Sequence, residues 1–266
     1  MRLVSHTTGF GRVQQQDGQT SVVPMGDDVV AYLAGREEAR DGSPVPLSTL
    51  ELTAPVPRPG KIICVGLNYR DHAIEAGKPI PDEPVLFAKF SNSVSADGSE
   101  VAIPALSQEV DWEAELAVII GATASKVPVE DALDHVAGYT CVNDLSARDL
   151  QRRGGQWTRG KAIDGFLPMG PHLVTPDEVG DPQELAISCR LNGSIVQESN
   201  TSQMVFGIAE LISTISQTLT LEPGDCIATG TPPGVGMAMD PPRFLEPGDV
   251  VAVEIDKLGT LTTRMT

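Results

Sequence analysis

The stretch Asp111-Trp112-Glu113-Ala114-Glu115-Leu116-Ala117-Val118-Ile119-Ile120 places three carboxylates at the start of an apolar run. The run predicts a buried β-strand over residues 113–120. Side chains alternate along a strand, so Asp111, Glu113 and Glu115 are expected on one face. Buried carboxylates this close together repel one another and lose hydration unless a cation or protons compensate. The stretch therefore predicts a strand that holds a divalent metal ion.

Short strand patterns dominate the chain after residue 60. They are predicted at residues 61–65, 85–90, 113–120, 138–142, 185–191, 195–198, 226–229, 250–255 and 260–264. Helical patterns are fewer and cover residues 129–136 and 208–219. Because strands and helices do not alternate regularly, a doubly wound fold and a TIM barrel are disfavoured. The prediction is a β-rich α+β fold, arranged as a mixed β-roll or sandwich.

The first 58 residues predict a small β-rich N-terminal domain. Strand patterns at residues 10–15 and 20–24 flank Asp17-Gly18, a dipeptide typical of tight hairpins, and residues 27–33 suggest a short helix. Three prolines in the segment 55–60 are typical of a linker. The expected division is therefore 1–58 for the small domain and 59–266 for the main domain.

Composition excludes several classes of partner. The chain has 266 residues, a formal charge of −17 and a mean hydropathy of −0.04. The sequence has no clustered run of Lys and Arg, so a nucleic-acid partner is not expected. It has no apolar stretch long enough for a membrane span and no signal-peptide core, so we expect a cytoplasmic protein. Four scattered cysteines in apolar contexts predict buried thiols: Cys64, Cys141, Cys189 and Cys226.

A further carboxylate follows the apolar run at residues 138–142. Asp144 stands where the end of a strand can direct a side chain into a shared pocket. With Glu113 and Glu115 it would offer three hard oxygen ligands, which suit Mg²⁺ or Mn²⁺. Few histidines lie nearby, which disfavours zinc. The alternative is that these are surface carboxylates on an edge strand of an acidic protein.

His72 and Glu75 form a second candidate group. Asn68 or Asp71 can cap a short helical turn that ends near Gly77, so the two side chains would share one face. A carboxylate beside an imidazole raises its basicity and orients its ring, as proton transfer near neutral pH requires. The alternative is an exposed ion pair on a surface helix.

Other polar groups could bind an acidic substrate. Lys161 and Arg148 could bind a carboxylate or a developing oxyanion, and Gln151 could donate to the same oxygen. Thr231 opens the loop 230–236, whose glycines allow backbone amides to approach a ligand closely. That loop could equally be only a tight turn.

Five segments, in this order, resemble the fumarylacetoacetate hydrolase family. The resemblance covers about residues 61–264 and rests on residues 66–72, 111–116, 143–149, 224–225 and 230–236. Residues 1–55 look like the small N-terminal domain of many bacterial members. The resemblance implies a β-rich catalytic domain, usually a homodimer, that binds Mg²⁺ or Mn²⁺ and acts on a small-molecule 2-oxo acid.

The resemblance also implies roles for single residues. The metal ligands would be Glu113, Glu115 and Asp144, and His72 and Glu75 would be the acid–base pair. The groups that contact substrate or stabilise an oxyanion would be Lys161, counted with the catalytic residues, and Arg148, Gln151 and Thr231. Asp111 would support the ligands rather than bind the ion.

Several reactions share the enolate that the resemblance implies. A 2-oxo or 2-hydroxy-enol carboxylic acid would form a metal-stabilised enolate. C–C hydrolysis of an acylpyruvate would follow if water is activated, decarboxylation of an oxaloacetate-like acid if CO₂ leaves, and isomerisation of a hydroxymuconate-type acid from aromatic catabolism if only a proton moves. The competing hypothesis is a catalytically inert, metal-stabilised binding or structural protein on the same scaffold.

Overall fold

The N-terminal segment is built from short antiparallel strands. The computed structural model describes residues 1–16 and 18–266. The elements of this segment are β1 (Arg2–His6), β2 (Gly9–Gln16), β3 (Gln19–Gly26), helix α1 (Val29–Leu33), β4 (Val45–Pro46), a 3-10 helix (Leu47–Thr49) and β5 (Leu52–Thr53). The predicted strands at 10–15 and 20–24 and the short helix are confirmed. The expected tight turn at Asp17-Gly18 includes Asp17, which lies outside the described residues.

Strands also dominate the rest of the chain. They are β6 (Ile62–Gly66), β7 (Val85–Lys89), β8 (Val94–Ala96), β9 (Glu100–Val101), β10 (Val110–Asp111), β11 (Ala114–Ile120), β12 (Val136–Asn143), β13 (Ser146–Ala147), β14 (Leu167–Val174), β15 (Ala186–Leu191), β16 (Ser194–Asn200), β17 (Cys226–Ala228), β18 (Val250–Ile255) and β19 (Gly259–Met265). Every strand predicted after residue 60 overlaps one of these.

Helices are short. The α-helices are α2 (Arg70–Glu75), α3 (Arg148–Gln151), α4 (Thr158–Lys161), α5 (Pro176–Val179) and α6 (Ile208–Ser216), and 3-10 helices cover Ser91–Ser93, Val129–His135, Thr201–Gln203 and Gly236–Ala238. The predicted helix at 208–219 ends at Ser216, and the one at 129–136 is 3-10 rather than α. Of the helices that the structure describes, none has the length and apolar character needed to cross a membrane.

The described strands form one large sheet and two smaller ones. The large sheet runs β4-β3-β2-β1-β14-β12-β11-β17-β6-β7, with β5 paired to β1 and β8 to β14. A second sheet runs β16-β15-β18-β19-β9, and β10 pairs with β13. The predicted β-rich α+β class is confirmed. The strands of the N-terminal segment continue the large sheet through β1 and β14, and the division at residues 58 and 59 stays a prediction.

The core has two layers on opposite faces of β11. Leu116, Val118 and Ile120 lie in one apolar cluster, whereas Ala117 and Ile119 lie in the other. All five side chains are buried, as expected for a central strand covered on both faces. The apolar side of α6 packs into the first cluster through Ile208, Leu211, Ile212 and Ile215. The site described next therefore begins on a rigid, fully buried strand.

Strand β14 was not predicted, although it lies between β1 and β12. It contains Pro168, Gly170 and Pro171, and these residues are typical of turns and loops. Its ladder with β12 shifts register between Tyr139 and Cys141, which accommodates the irregular backbone. Long-range pairing on both sides therefore outweighs the weak local preference for a strand.

Candidate active site

Glu113, Glu115 and Asp144 form a buried group that we call the carboxylate cluster. One oxygen from each lies within 4.8 Å of the others. Antiparallel pairing of β11 with β12 sets Ala114 opposite Asn143, which brings the start of one strand to the end of the other. The amide of Asp144 donates to the carbonyl of Glu113 at 2.9 Å. The expected convergence of these three acids is confirmed, and they are not surface carboxylates.

Asp111 does not lie on β11, the strand that carries Glu115. It belongs to β10, which pairs with β13, and residues 112–113 separate it from β11. The expectation of one continuous acidic strand face is therefore wrong. Both Nε and a terminal nitrogen of Arg148 lie 2.8 Å from Asp111 Oδ2. Arg148 also lies 2.7 Å from Glu113 Oε1, so Asp111 supports the cluster through this guanidinium.

Two buried lysines contact the same cluster. Lys161 Nζ lies 2.5 Å from Glu113 Oε2 and 2.6 Å from Asp144 Oδ2. Lys89 Nζ lies 2.5 Å from Asp144 Oδ1 and donates to the carbonyl of Leu145 at 3.0 Å. Each oxygen of Asp144 is therefore held by a different ammonium group. Both lysine residues are 2% exposed, so these contacts are sheltered from water.

The surroundings shift the proton affinities of these groups in different directions. Burial alone would raise the pKa of Glu113, but the charges of Arg148 and Lys161 lower it. Burial raises the pKa of Glu115, and the charges of Asp144 and Glu113 add to the effect. Burial lowers the pKa of Lys89, which the charge of Asp144 only partly offsets. Glu115 is the member of the cluster with the least compensation from neighbouring cations.

The loop 230–236 organises the acids through its backbone. Gly230 donates to Glu115 Oε2 at 2.8 Å, Gly234 donates to Glu75 Oε1 at 2.7 Å, and Gly236 donates to Asp111 Oδ1 at 2.7 Å. A Cβ on Gly234 would lie 1.9 Å from the carbonyl oxygen of Val196, so a side chain cannot fit there. The loop is therefore more than a tight turn, because its amides hold three site carboxylates.

His72 and Glu75 are paired on α2. His72 Nδ1 lies 2.8 Å from Glu75 Oε2, and their side chains are 15% and 23% exposed. Since Glu75 also accepts from Gly234, its carboxylate is held from two sides and in turn orients the imidazole ring. The pair is therefore anchored to the loop that also holds Glu115, and it is not a chance ion pair on an exposed surface.

Most of the predicted site residues line one cavity of about 470 Å³. Its walls include eight of them: His72, Glu75, Glu113, Glu115, Arg148, Gln151, Lys161 and Thr231. Asp144 lies behind this wall and is fully buried. Phe87 and Trp157, whose rings meet edge to face at 5.1 Å, add an apolar side. The cavity is large enough for a small organic acid beside a metal ion.

Gln151 and Thr231 are held by protein groups. Gln151 Oε1 accepts from a terminal nitrogen of Arg148 at 3.3 Å. Thr231 Oγ1 donates to the carbonyl of Ala114 at 2.9 Å and accepts from Gln197 Nε2 at 2.8 Å. Both residues line the cavity in fixed positions, while their contacts with substrate remain a prediction.

Sequence reasoning missed Lys89 and Gln197. A lysine inside the apolar pattern of residues 85–90 was a usable signal, because a lysine whose side chain is buried needs a partner for its charge. Gln197 carried no comparable signal. It donates to Thr231 and accepts from the amide of Ala114 at 2.9 Å, contacts that depend on β16 meeting the loop in space.

The carboxylate cluster suits a divalent cation. Its donors are hard carboxylate oxygens, which Mg²⁺, Mn²⁺ and Ca²⁺ prefer. The ammonium group of Lys161, seated between Glu113 and Asp144, shows that the site accepts positive charge at this point. Glu113, Glu115 and Asp144 are therefore the residues that would hold the ion.

Comparison with known proteins establishes the family. The sequence model described as "Fumarylacetoacetate (FAA) hydrolase C-terminal" matches residues 61–266. The chain belongs to the fumarylacetoacetate hydrolase family. This family member is 51% identical over 223 residues to the human protein named "Oxaloacetate tautomerase FAHD2A, mitochondrial". The matched region covers 83% of this chain and 71% of that relative.

Solved structures of fumarylacetoacetate hydrolase family members agree over the whole chain. The fumarylacetoacetate hydrolase of Exiguobacterium antarcticum has a TM-score of 0.88 at 35% identity and covers 100% of this chain and 99% of its own. The 5-carboxymethyl-2-hydroxymuconate delta-isomerase of Mycobacterium smegmatis has a TM-score of 0.87 at 33% identity with the same coverage. This fumarylacetoacetate hydrolase family member is an enzyme, and the hypothesis of an inert scaffold is not favoured.

Proposed function

We propose that this enzyme catalyses the keto–enol tautomerisation of a small 2-oxo dicarboxylic acid of the oxaloacetate type, with Mg²⁺ or Mn²⁺ as its cofactor. The observation that carries the proposal is that the His72–Glu75 pair lines the same cavity as Glu113 and Glu115 of the carboxylate cluster. The names of the human and frog relatives, both oxaloacetate tautomerases at 51% and 52% identity, support it.

The cluster sets where the acid binds. When bound to Glu113, Glu115 and Asp144, a divalent ion would supply positive charge that favours negative charge developing on the substrate. Lys161 lies at the same wall and adds a second positive group there. The apolar side formed by Phe87 and Trp157 limits water around the reacting carbon.

His72 moves the proton. Its Nδ1 is paired with Glu75, so Nε2 is the nitrogen that removes a proton from C3 of the keto acid, after which the C2 oxygen takes up a proton to give the enol. In the reverse direction the enol O–H proton is lost and the protonated imidazole returns a proton to C3. Glu75 holds the imidazole and stabilises its protonated form, while Gly234 keeps Glu75 in place. Tautomerisation needs only proton transfers at C3 and at the C2 oxygen, whereas hydrolysis needs an activated water and decarboxylation needs a broken C–C bond.

Isomerisation of a longer enol acid is the second candidate. In this reaction a proton is removed from one carbon of a conjugated chain and returned to another carbon of the same chain. The similarity to the delta-isomerase of Mycobacterium smegmatis over 100% of the chain supports it. The cavity of about 470 Å³ accommodates either substrate.

The test follows the enol form of oxaloacetate directly. Freshly dissolved enol is mixed with protein and Mn²⁺, and the decay of its ultraviolet absorbance is recorded beside a pyruvate assay. We expect enol decay to accelerate without matching pyruvate release. Rapid pyruvate release would instead identify a decarboxylase, and no acceleration with oxaloacetate or hydroxymuconate-type acids would reject the proposal.

A variant pair separates proton transfer from folding. His72→Asn should slow enol decay by about 10²-fold or more, because the proton acceptor is removed. His135→Asn is the control, since His135 lies on a 3-10 helix outside the cavity. Equal rates in the two variants would exclude His72 as the proton-transfer group.

We also propose that the enzyme is a homodimer. Strand β7 ends the order of the large sheet and carries exposed apolar side chains, with Val85 at 40% and Leu86 at 39%, and Phe90 follows at 55%. Such an edge is a suitable surface for a second copy of the chain. Phe90→Glu should shift the mass measured by light scattering from dimer to monomer. A cytoplasmic location also stays a prediction.

A further inference from the structure

The buried charges around the carboxylate cluster nearly balance without a metal ion. Four buried carboxylates, Asp111, Glu113, Glu115 and Asp144, lie beside three buried cations, Lys89, Arg148 and Lys161. A buried ionised group is strongly destabilising unless it is paired. The three cations therefore carry most of the compensation that a bound divalent ion would otherwise have to supply.

Lys89 is placed for charge compensation rather than for catalysis. Its Nζ contacts Asp144 Oδ1 at 2.5 Å and the carbonyl of Leu145 at 3.0 Å, and it is not among the residues that line the cavity. The side chain reaches Asp144 from β7 and contacts Oδ1, whereas Lys161 contacts Oδ2. Lys89 can thus act on the metal ligand without touching substrate.

Lys161 competes with a cation more directly. Its ammonium group lies between Glu113 Oε2 and Asp144 Oδ2, two oxygens that belong to two of the three metal ligands. A divalent ion that binds these acids must share them with Lys161 or displace it. In either case the two positive groups repel each other.

We propose that Lys89 and Lys161 are built-in counter-cations of the carboxylate cluster, which stabilise the metal-free fold and weaken the binding of the divalent ion. The inference rests on the metal site of the proposed function. Its consequence is a site that exists before the metal arrives and that exchanges its ion reversibly. If a lysine only oriented a ligand, its removal would lower the affinity for the divalent ion, which is the opposite of the effect expected here.

The test measures Mn²⁺ binding and thermal unfolding of Lys89→Met without substrate. Removing a positive charge beside the ligands should lower the Mn²⁺ dissociation constant about tenfold or more, measured by electron paramagnetic resonance of unbound Mn²⁺. The metal-free variant should melt at least about 6 °C below the parent enzyme, since Asp144 loses one of its two cations. Saturating Mn²⁺ should therefore raise its melting temperature by more than it raises that of the parent.

Arg58→Gln is the matched control, because it removes one positive charge from an exposed position in the predicted linker. It should leave both readouts unchanged. Lys161→Met provides a second measurement if Lys89→Met does not fold: it should also bind Mn²⁺ more tightly, although turnover is lost. Weaker or unchanged Mn²⁺ affinity in the variants that fold overturns the inference.

The outcomes separate this inference from the proposed reaction. If Lys89→Met binds Mn²⁺ more tightly than the parent but the parent does not accelerate the decay of oxaloacetate enol, the proposed tautomerisation is wrong and the role of the two lysines as counter-cations stands. If the parent enzyme accelerates enol decay but all variants bind Mn²⁺ with equal affinity, the proposed reaction stands and the role of the two lysines as counter-cations is wrong.

Discussion

Asp111→Asn tests how the site is held together. The carboxylate of Asp111 is fully buried and accepts from two nitrogens of Arg148 at 2.8 Å. It also accepts from the amides of Trp112, Gly236 and Met237 at 2.9, 2.7 and 3.2 Å. Asparagine keeps the shape and removes the charge, so Arg148 is left with Glu113 as its remaining anionic contact.

The magnitude follows from the burial of the pair. Loss of one partner from a buried ion pair costs about 3–5 kcal/mol. For a chain of this length, about 2–4 °C of melting temperature corresponds to 1 kcal/mol, so the midpoint should fall by about 6–20 °C. The assay is thermal unfolding by circular dichroism in saturating Mn²⁺, with Asp134→Asn on an exposed position as the control. A fall of less than about 2 °C would refute the view that Asp111 anchors the cluster.

Three further changes test other parts of the account. Glu75→Gln should slow enol decay by about 10²-fold, because the carboxylate that pairs with His72 is removed. The melting temperature should stay within about 2 °C, because glutamine can still accept from the amide of Gly234. Retained turnover would contradict the role of Glu75 as the partner of His72. Asp225→Asn should lower the free energy of unfolding by about 1–3 kcal/mol in urea titrations, since this buried carboxylate accepts from Lys61 Nζ at 2.7 Å. An unchanged urea midpoint would contradict a stabilising role for this contact. Burial and the charge of Arg2 lower the pKa of His172 in the folded chain, so its stabilising contribution is complete above about pH 6.5 and is lost as the pH falls. His172→Gln should therefore flatten the decline in stability between about pH 7 and pH 5, and an equally steep decline would count against it.

The sequence predicted the site better than it predicted the backbone that builds it. Residue types at fixed spacing indicated Glu113, Glu115 and Asp144, and antiparallel pairing of two predicted strands was enough to bring them together. The roles of the Gly-rich loop were not predictable, because its amides reach three carboxylates that are distant in the chain.

Local preferences failed where long-range contacts decide the structure. Strand β14 reads as a turn because of its prolines and glycine, yet strands on both sides impose an extended chain. The acidic stretch reads as one strand, yet Arg148 holds Asp111 on β10 and the chain leaves strand geometry at residues 112–113. In each case the missing information was the partner in space.

The repeated Glu-Pro-Gly-Asp segments show the opposite case, in which local chemistry suffices. In both copies the aspartate side chain accepts from the amide of the glutamate three residues earlier, at 2.8 Å for Asp225 and 2.8 Å for Asp249. The same turn then leads into β17 and into β18. Local turn chemistry therefore gives the same hydrogen bond between a backbone amide and an aspartate carboxylate at residues 222–225 and 246–249.

The central claim is that the carboxylate cluster binds a divalent ion on which proton transfer depends. The most direct measurement titrates Mn²⁺ into chelator-treated enzyme and records bound Mn²⁺ and the rate of oxaloacetate enol decay in the same samples. We expect bound Mn²⁺ and the rate of enol decay to rise together to one Mn²⁺ per chain, and Glu115→Gln to lose both. Enol decay at the full rate in the metal-free enzyme, or full Mn²⁺ binding by Glu115→Gln, would contradict it.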